Sequence, residues 1–122
     1  MAIKPESQEQ IKLFDWIRLH PKISKAAFYI PNDGKRSPQM GWLMKKMGMR
    51  PGVSDVFLAI ANNESHGMFL ELKAKDSRGI YRKPTAFQVK FQKDMLENGY
   101  HCVVANGADD AIEAIKNYVS TI

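Results

Sequence analysis

The chain is predicted to be an α/β protein in which helices flank both faces of a central mixed β-sheet, in the order α-β-α-β-β-α-β-α. Three observations predict this. Four short apolar runs, AAFYI (26–30), SDVFLAIA (54–61), GMFLELKA (67–74) and HCVVA (101–105), have strand length and strand-forming residues. Segments of helical periodicity separate most of them, which implies layers rather than a sandwich or a bundle. With 122 residues, 44% of them hydrophobic and 25% charged, the chain suits one core of ordinary globular composition. Residues 1–122 are therefore read as one domain.

The elements follow in order. Residues 6–19 set Gln10, Leu13 and Ile17 at helical spacing, with Phe14 and Trp16 widening the apolar side. AAFYI enters PNDGKRSP, a loop rich in turn formers. A short helix fits 39–47 and ends at Gly48, and Pro51-Gly52 breaks the chain before SDVFLAIA. NNESHG then turns the chain into its antiparallel partner GMFLELKA. DSRGIYRKP (76–84) reads as a mobile basic loop leading to a helix over about 85–98. HCVVA and a last helix over 108–119, with Ala111, Ile112, Ile115, Tyr118 and Val119 on one face, complete the order.

Composition removes several classes. Cys102 is the only cysteine, which excludes an internal disulfide and a multi-thiolate zinc cluster. No apolar run approaches a membrane span, and MAIKPESQEQ lacks the apolar region of a secretory signal, so a cytoplasmic protein without a membrane partner is expected. His20, His66 and His101 lack metal-ligand spacing, and no P-loop, HExxH or GxSxG motif occurs. Eighteen Lys and Arg against thirteen Asp and Glu give +5, a bias toward polyanions.

The informative feature is charge inside an apolar strand. Glu71 and Lys73 interrupt MFLELKA, where an uncompensated ion costs several kcal/mol. Alternation puts Phe69, Glu71 and Lys73 on one face and Met68, Leu70 and Leu72 on the other. A hairpin with Ala61 opposite Gly67 sets Asp55 against Lys73 and Phe57 against Glu71, so Asp55 shares the charged face. The diagonal from Asp55 to Glu71 is then roughly 7 Å between Cβ atoms, which one divalent cation spans. Hard oxygen ligands beside an amine suit Mg²⁺ or Mn²⁺. The same residues also fit a partly exposed strand ion pair with Asp55 as a turn residue, and spacing alone leaves both readings open. Lys35, Arg36, Lys45, Lys46, Arg50, Arg78, Arg82 and Lys83 lie in three flanking segments, as phosphate-neutralising groups or as a solvated surface. Met44, Met47 and Met49 are expected to pack in the interior.

The spread of GVSD (52–55), ELK (71–73) and a helix with Gln88 resembles the PD-(D/E)xK nuclease superfamily. PNDGKRS (31–37), KKMGMRPGVSDVFLAI (45–60), HGMFLELKAK (66–75), PTAFQ (84–88), Gly99-Tyr100 and DDAIEAI (109–115) resemble its VRR-NUC branch over nearly the whole chain. The resemblance implies a restriction-endonuclease-like core. It implies Asp55 and Glu71 as metal-binding acids, Lys73 as catalytic lysine and Gln88 as the helix glutamine. It also implies an acid from the first helix. Glu6 is chosen because it precedes Gln10 by one turn on the inward stripe, with Glu9 as the rival. Ser54 stands where the superfamily name has proline, which removes no ligand. Gln88 has a second reading, since Thr85-x-x-Gln88 forms a capping box. Asn32-Asp33-Gly34 is by itself a turn, and by resemblance a loop beside the scissile strand.

What the resemblance implies is a Mg²⁺- or Mn²⁺-dependent DNA endonuclease of a bacterial or phage-infected cell. It would act on branched DNA such as four-way junctions in repair, as a homodimer. Two rivals remain at this stage: a catalytically silent nucleic-acid-binding module, and a restriction-type subunit that cuts linear duplex.

Overall fold

The structure, a computed structural model, describes residues 2–32 and 36–122. Its helices are α1 (Pro5–Arg18), α2 (Pro21–Ser24), α3 (Pro38–Lys46), α4 (Ala86–Glu97) and α5 (Ala108–Val119). Among the described residues, β1 (Ala27–Tyr29), β2 (Val56–Leu58), β3 (Met68–Lys73) and β4 (His101–Asn106) form one sheet in the order β1-β2-β3-β4. The first two pairings are antiparallel and β3–β4 is parallel, with α4 in the crossover. The mixed sheet and flanking helices match the expected fold class. The added element is α2, a single turn started by Pro21, whose missing N–H and fixed φ suit the first helical position.

Strand alternation sorts the two faces. Val56, Leu58, Met68, Leu70, Leu72 and Ala105 face α1 and α5 and bury fully with Leu13, Ile17, Ala108, Ala111 and Ile115. The opposite face carries Phe57 and Phe69, which meet Tyr100 and, from α4, Phe91 in edge-to-face or tilted contacts. Glu71 belongs to that second face, at the end where the aromatic layer stops.

Two expectations are corrected here. The strand predicted over 54–61 is only Val56–Leu58, and its partners are Phe57↔Phe69 and Leu58↔Met68, two residues away from the expected register. The cause lies beyond Leu58. Ile60 is drawn to α5, its carbonyl accepting the Tyr118 hydroxyl at 2.6 Å, and the Asn62 amide donates to Thr121 Oγ1 at 2.7 Å. The connecting loop is lengthened accordingly. A shift of two preserves the face, so Asp55 still lies on the side of Glu71 and Lys73, but one step beyond β2 it stands opposite Glu71 rather than Lys73. The basic loop after Asp76 is also tied down: its carboxylate accepts the N–H groups of Arg78 and Ile80, and Lys75 pairs with Tyr81.

Candidate metal and nuclease site

Asp55 sits where β2 gives out. Its backbone carbonyl accepts the Ile30 N–H at 2.7 Å, and its side-chain Oδ2 accepts the Leu72 N–H of β3 at 2.8 Å. A carboxylate thus takes the place of the next ladder carbonyl, which fixes its aim and satisfies a buried donor. Glu71 is 3% exposed and Asp55 7% exposed, whereas Glu6, at the start of α1, is exposed. One carboxylate oxygen from each of Glu6, Asp55 and Glu71 lies within 4.8 Å of the other two. The floor of this cluster is buried and its rim is open.

The cluster crowds three carboxyl groups together, two of them buried. Burial pushes the Glu71 carboxyl up from its ordinary 4.5 to about 9, and the hydrogen bond and negative charge of Asp55 add to the rise, opposed by Lys73. Without a cation, Asp55 and Glu71 share a proton. A divalent ion in its place would neutralise both, and an all-carboxylate donor set fits Mg²⁺ or Mn²⁺.

Lys73 Nζ donates to Gln88 Oε1 at 2.8 Å. The same oxygen accepts the Thr85 N–H at 2.9 Å, while Thr85 Oγ1 accepts the Gln88 N–H at 3.2 Å, so the capping box is present as well. The capping-box reading of Gln88 holds, and the same amide oxygen that closes the box also accepts the Lys73 amine. Gly52 makes this placement possible. It adopts φ +88, and a Cβ there would overlap the Phe87 carbonyl, so only glycine lets the 51–55 segment lie against the start of α4. Gly52→Ala is expected to lose about 1–3 kcal/mol in urea unfolding, with an unchanged m-value, and to weaken activity by shifting Gln88.

The remaining site expectations divide. Glu9 does not join the cluster; its Oε1 lies 3.4 Å from the Ala108 N–H at the start of α5, an anion at a helix N-terminus. Asn32, Arg36 and Lys45 line one small pocket of about 160 Å³ with Gly41, Met49 and Pro51, and Asn32 donates to the Arg50 carbonyl. Lys46, Arg82 and Lys83 are exposed. Arg50 is 2.6 Å from Asp94 and lies over the Phe91 ring, and Arg78 pairs with Asp76 at 2.8 Å, so both guanidinia already engage a carboxylate. Lys35 and the Asp33-Gly34 pair lie outside the described residues. Met47, expected to pack, is 77% exposed. The tie from Asp55 to the β3 backbone and the Asp94 partner of Arg50 carry no sequence signal, because each depends on elements distant in the chain.

No family model matches the chain, and no curated protein matches it. A solved structure, a VRR_NUC domain protein, is similar to it over 99% of this chain and 93% of that chain, with a TM-score of 0.83 at 22% sequence identity. Together with the mixed four-stranded sheet and its flanking helices, that likeness establishes the architecture: the chain has the VRR-NUC fold.

Proposed function

We propose that this chain is a single-domain, Mg²⁺- or Mn²⁺-dependent endonuclease that hydrolyses phosphodiester bonds in DNA, with branched DNA such as four-way junctions as its preferred substrate. The observation that carries the reading is the convergence of Glu6, Asp55 and Glu71 beside a lysine whose amine is held by Gln88. The fold likeness to a VRR_NUC domain protein supports it.

In this reading Asp55, Glu71 and Glu6 hold the cation. When bound, the ion supplies Lewis-acid polarisation of the scissile phosphate and lowers the pKa of the attacking water. The chain's own residues do the rest. Asp55, anchored to the Leu72 N–H, and Glu71, fixed within β3, are rigid acids, while Glu6 at the exposed rim leaves an approach for the phosphate. Lys73, its amine held beside the cluster by Gln88, donates to an oxygen of the scissile group as negative charge develops there. Asn32, Lys35, Arg36, Lys45, Lys46, Arg50, Arg78, Arg82 and Lys83 supply backbone contacts, which position DNA without reading its sequence. The products are a 5′-phosphate and a 3′-hydroxyl. A homodimer in the cytoplasm of a bacterial or phage-infected cell would present two sites to two strands of a junction. No helix among the described residues is long and apolar enough to cross a membrane.

The test is a cleavage panel over four-way junction, flap, fork, single-stranded and linear DNA with Mg²⁺, Mn²⁺ or chelator. Junction cleavage with either ion and none in chelator is expected. Sequence-dependent cutting of linear duplex would replace this reading by a restriction-type one. Binding without cleavage in any metal would leave a silent binding module.

A further inference from the structure

We propose that α3 is a base-stacking surface, on which the indole of Trp42, framed by Lys45 and Lys46, receives unpaired bases of DNA. This rests on the reading of the carboxylate cluster as a nuclease site and adds a subsite for the single-stranded part of branched substrates such as flaps and forks. A surface helix normally buries an apolar stripe, yet none of the residues of α3 is buried. Met40 is 48% exposed, Leu43 43% and Trp42 62%. Trp42 and Leu43, with Pro38 and Gln39 one turn earlier, line an open depression of about 570 Å³.

The place of this face in the fold favours DNA. Gly41 and Lys45 belong to the adjoining stripe of α3, about 100° round the helix, and line the pocket shared with Asn32, Arg36 and Pro51. Pro51-Gly52 leads directly to Asp55 and packs on the start of α4 that carries Gln88. The apolar patch therefore adjoins a cationic pocket, one of whose lining residues, Pro51, begins the segment that ends at Asp55.

Charge identifies the occupant. Residues 31–54 contain Lys35, Arg36, Lys45, Lys46 and Arg50 against one acid, Asp33. A second copy docked face to face across a two-fold axis would bring two such cationic segments into one interface. A nucleic acid brings phosphates to the lysines and a π-face to the indole, the combination that single-strand-binding surfaces use. The Lys46 ammonium already lies 5.7 Å from the Trp42 ring centroid, so cation and ring are presented together.

The chain has two tryptophans, so Trp16→Phe leaves Trp42 as the sole indole reporter. In chelator, where no cleavage occurs, a single-stranded oligodeoxythymidine should quench the emission of this variant, and a blunt duplex of equal length should quench it little. In the native background, Trp42→Ala should weaken binding of the single strand roughly tenfold, and Trp42→Phe should retain most of it. Absence of quenching, or equal losses for single strand and duplex, would overturn the proposal. So would a protein dimer that Trp42→Ala dissociates without changing DNA affinity, which would make the face a contact between copies. The two readings fail separately: no cleavage with any metal sinks the nuclease and leaves quenching intact, whereas junction cleavage without quenching sinks the stacking surface alone.

Discussion

Asp55→Asn is expected to remove divalent-dependent cleavage, by at least about a thousandfold, while DNA binding and the fold persist. The magnitude follows from the several kcal/mol of transition-state stabilisation that a bound cation provides, at tenfold in rate per 1.36 kcal/mol. Asparagine is the informative substitution because the side-chain oxygen can still accept the buried Leu72 N–H. Asp55→Ala deletes that acceptor as well and should cost about 1–3 kcal/mol of stability, so its loss of activity would mix chemistry with folding. Glu71→Gln should likewise abolish cleavage and, by removing a carboxyl that stays protonated in the fold but ionises on unfolding, raise the melting temperature of the metal-free protein at neutral pH. Single-turnover cleavage of a junction, fluorescence anisotropy of the same DNA in chelator and thermal melting check the three parts. Unchanged cleavage by Asp55→Asn would mean the wrong acid has been assigned.

The second large effect is on stability against pH. Glu71 is held up at about 9 in the folded chain, compared with 4.5 ordinarily. Between those values the folded state keeps a proton that the unfolded chain has released, so its contribution to stability is complete below pH about 4.5 and is lost as pH rises toward 9. The slope is at most about 1.4 kcal/mol per pH unit, since one proton is involved. Metal-free protein in chelator should therefore melt at progressively lower temperature as pH rises through this window. A cation that takes the proton's place reverses the dependence: Mg²⁺ or Mn²⁺ should stabilise more at pH 8 than at pH 6, with proton release on binding. Asp55→Asn, which removes the neighbouring negative charge, should flatten the metal-free slope. Melting curves across pH with chelator and with each ion test this, and a flat metal-free profile would contradict it.

Much of this arrangement was legible in the residues because it is periodic. The alternation in MFLELKA assigned Glu71 and Lys73 to one face, and parity kept Asp55 with them even though the hairpin register was two residues off. That error came from Ile60 and Asn62, whose partners Tyr118 and Thr121 lie nearly sixty residues away and leave no local trace. The stripe through Gln10, Leu13 and Ile17 pointed to Glu6 over Glu9, and Glu9 is instead used at the start of α5. The capping box was readable from Thr85 and Gln88, but the further bond that the Gln88 amide oxygen accepts from Lys73 depends on how β3 and the start of α4 meet in three dimensions. Of the three methionines expected to pack, Met44 and Met49 are half-buried, whereas Met47, just past the end of α3, is exposed, because an apolar residue is buried only where something packs on it.

The fold gives the site its combination of rigidity and access. Glu71 lies within β3, whose other face belongs to the buried core, and Asp55 is tied through its side chain to the Leu72 N–H of the same strand. Glu6 comes from the first turn of a helix and stands at the exposed rim. Holding two acids together in this way costs stability unless a proton or a cation lies between them.

The most direct test is an anomalous-scattering map from crystals of the protein soaked in Mn²⁺. A single strong peak touching carboxylate oxygens of Glu6, Asp55 and Glu71 is the predicted result, absent from crystals of Asp55→Asn. No peak at saturating Mn²⁺, or one elsewhere on the molecule while this cluster stays protonated, would contradict the account.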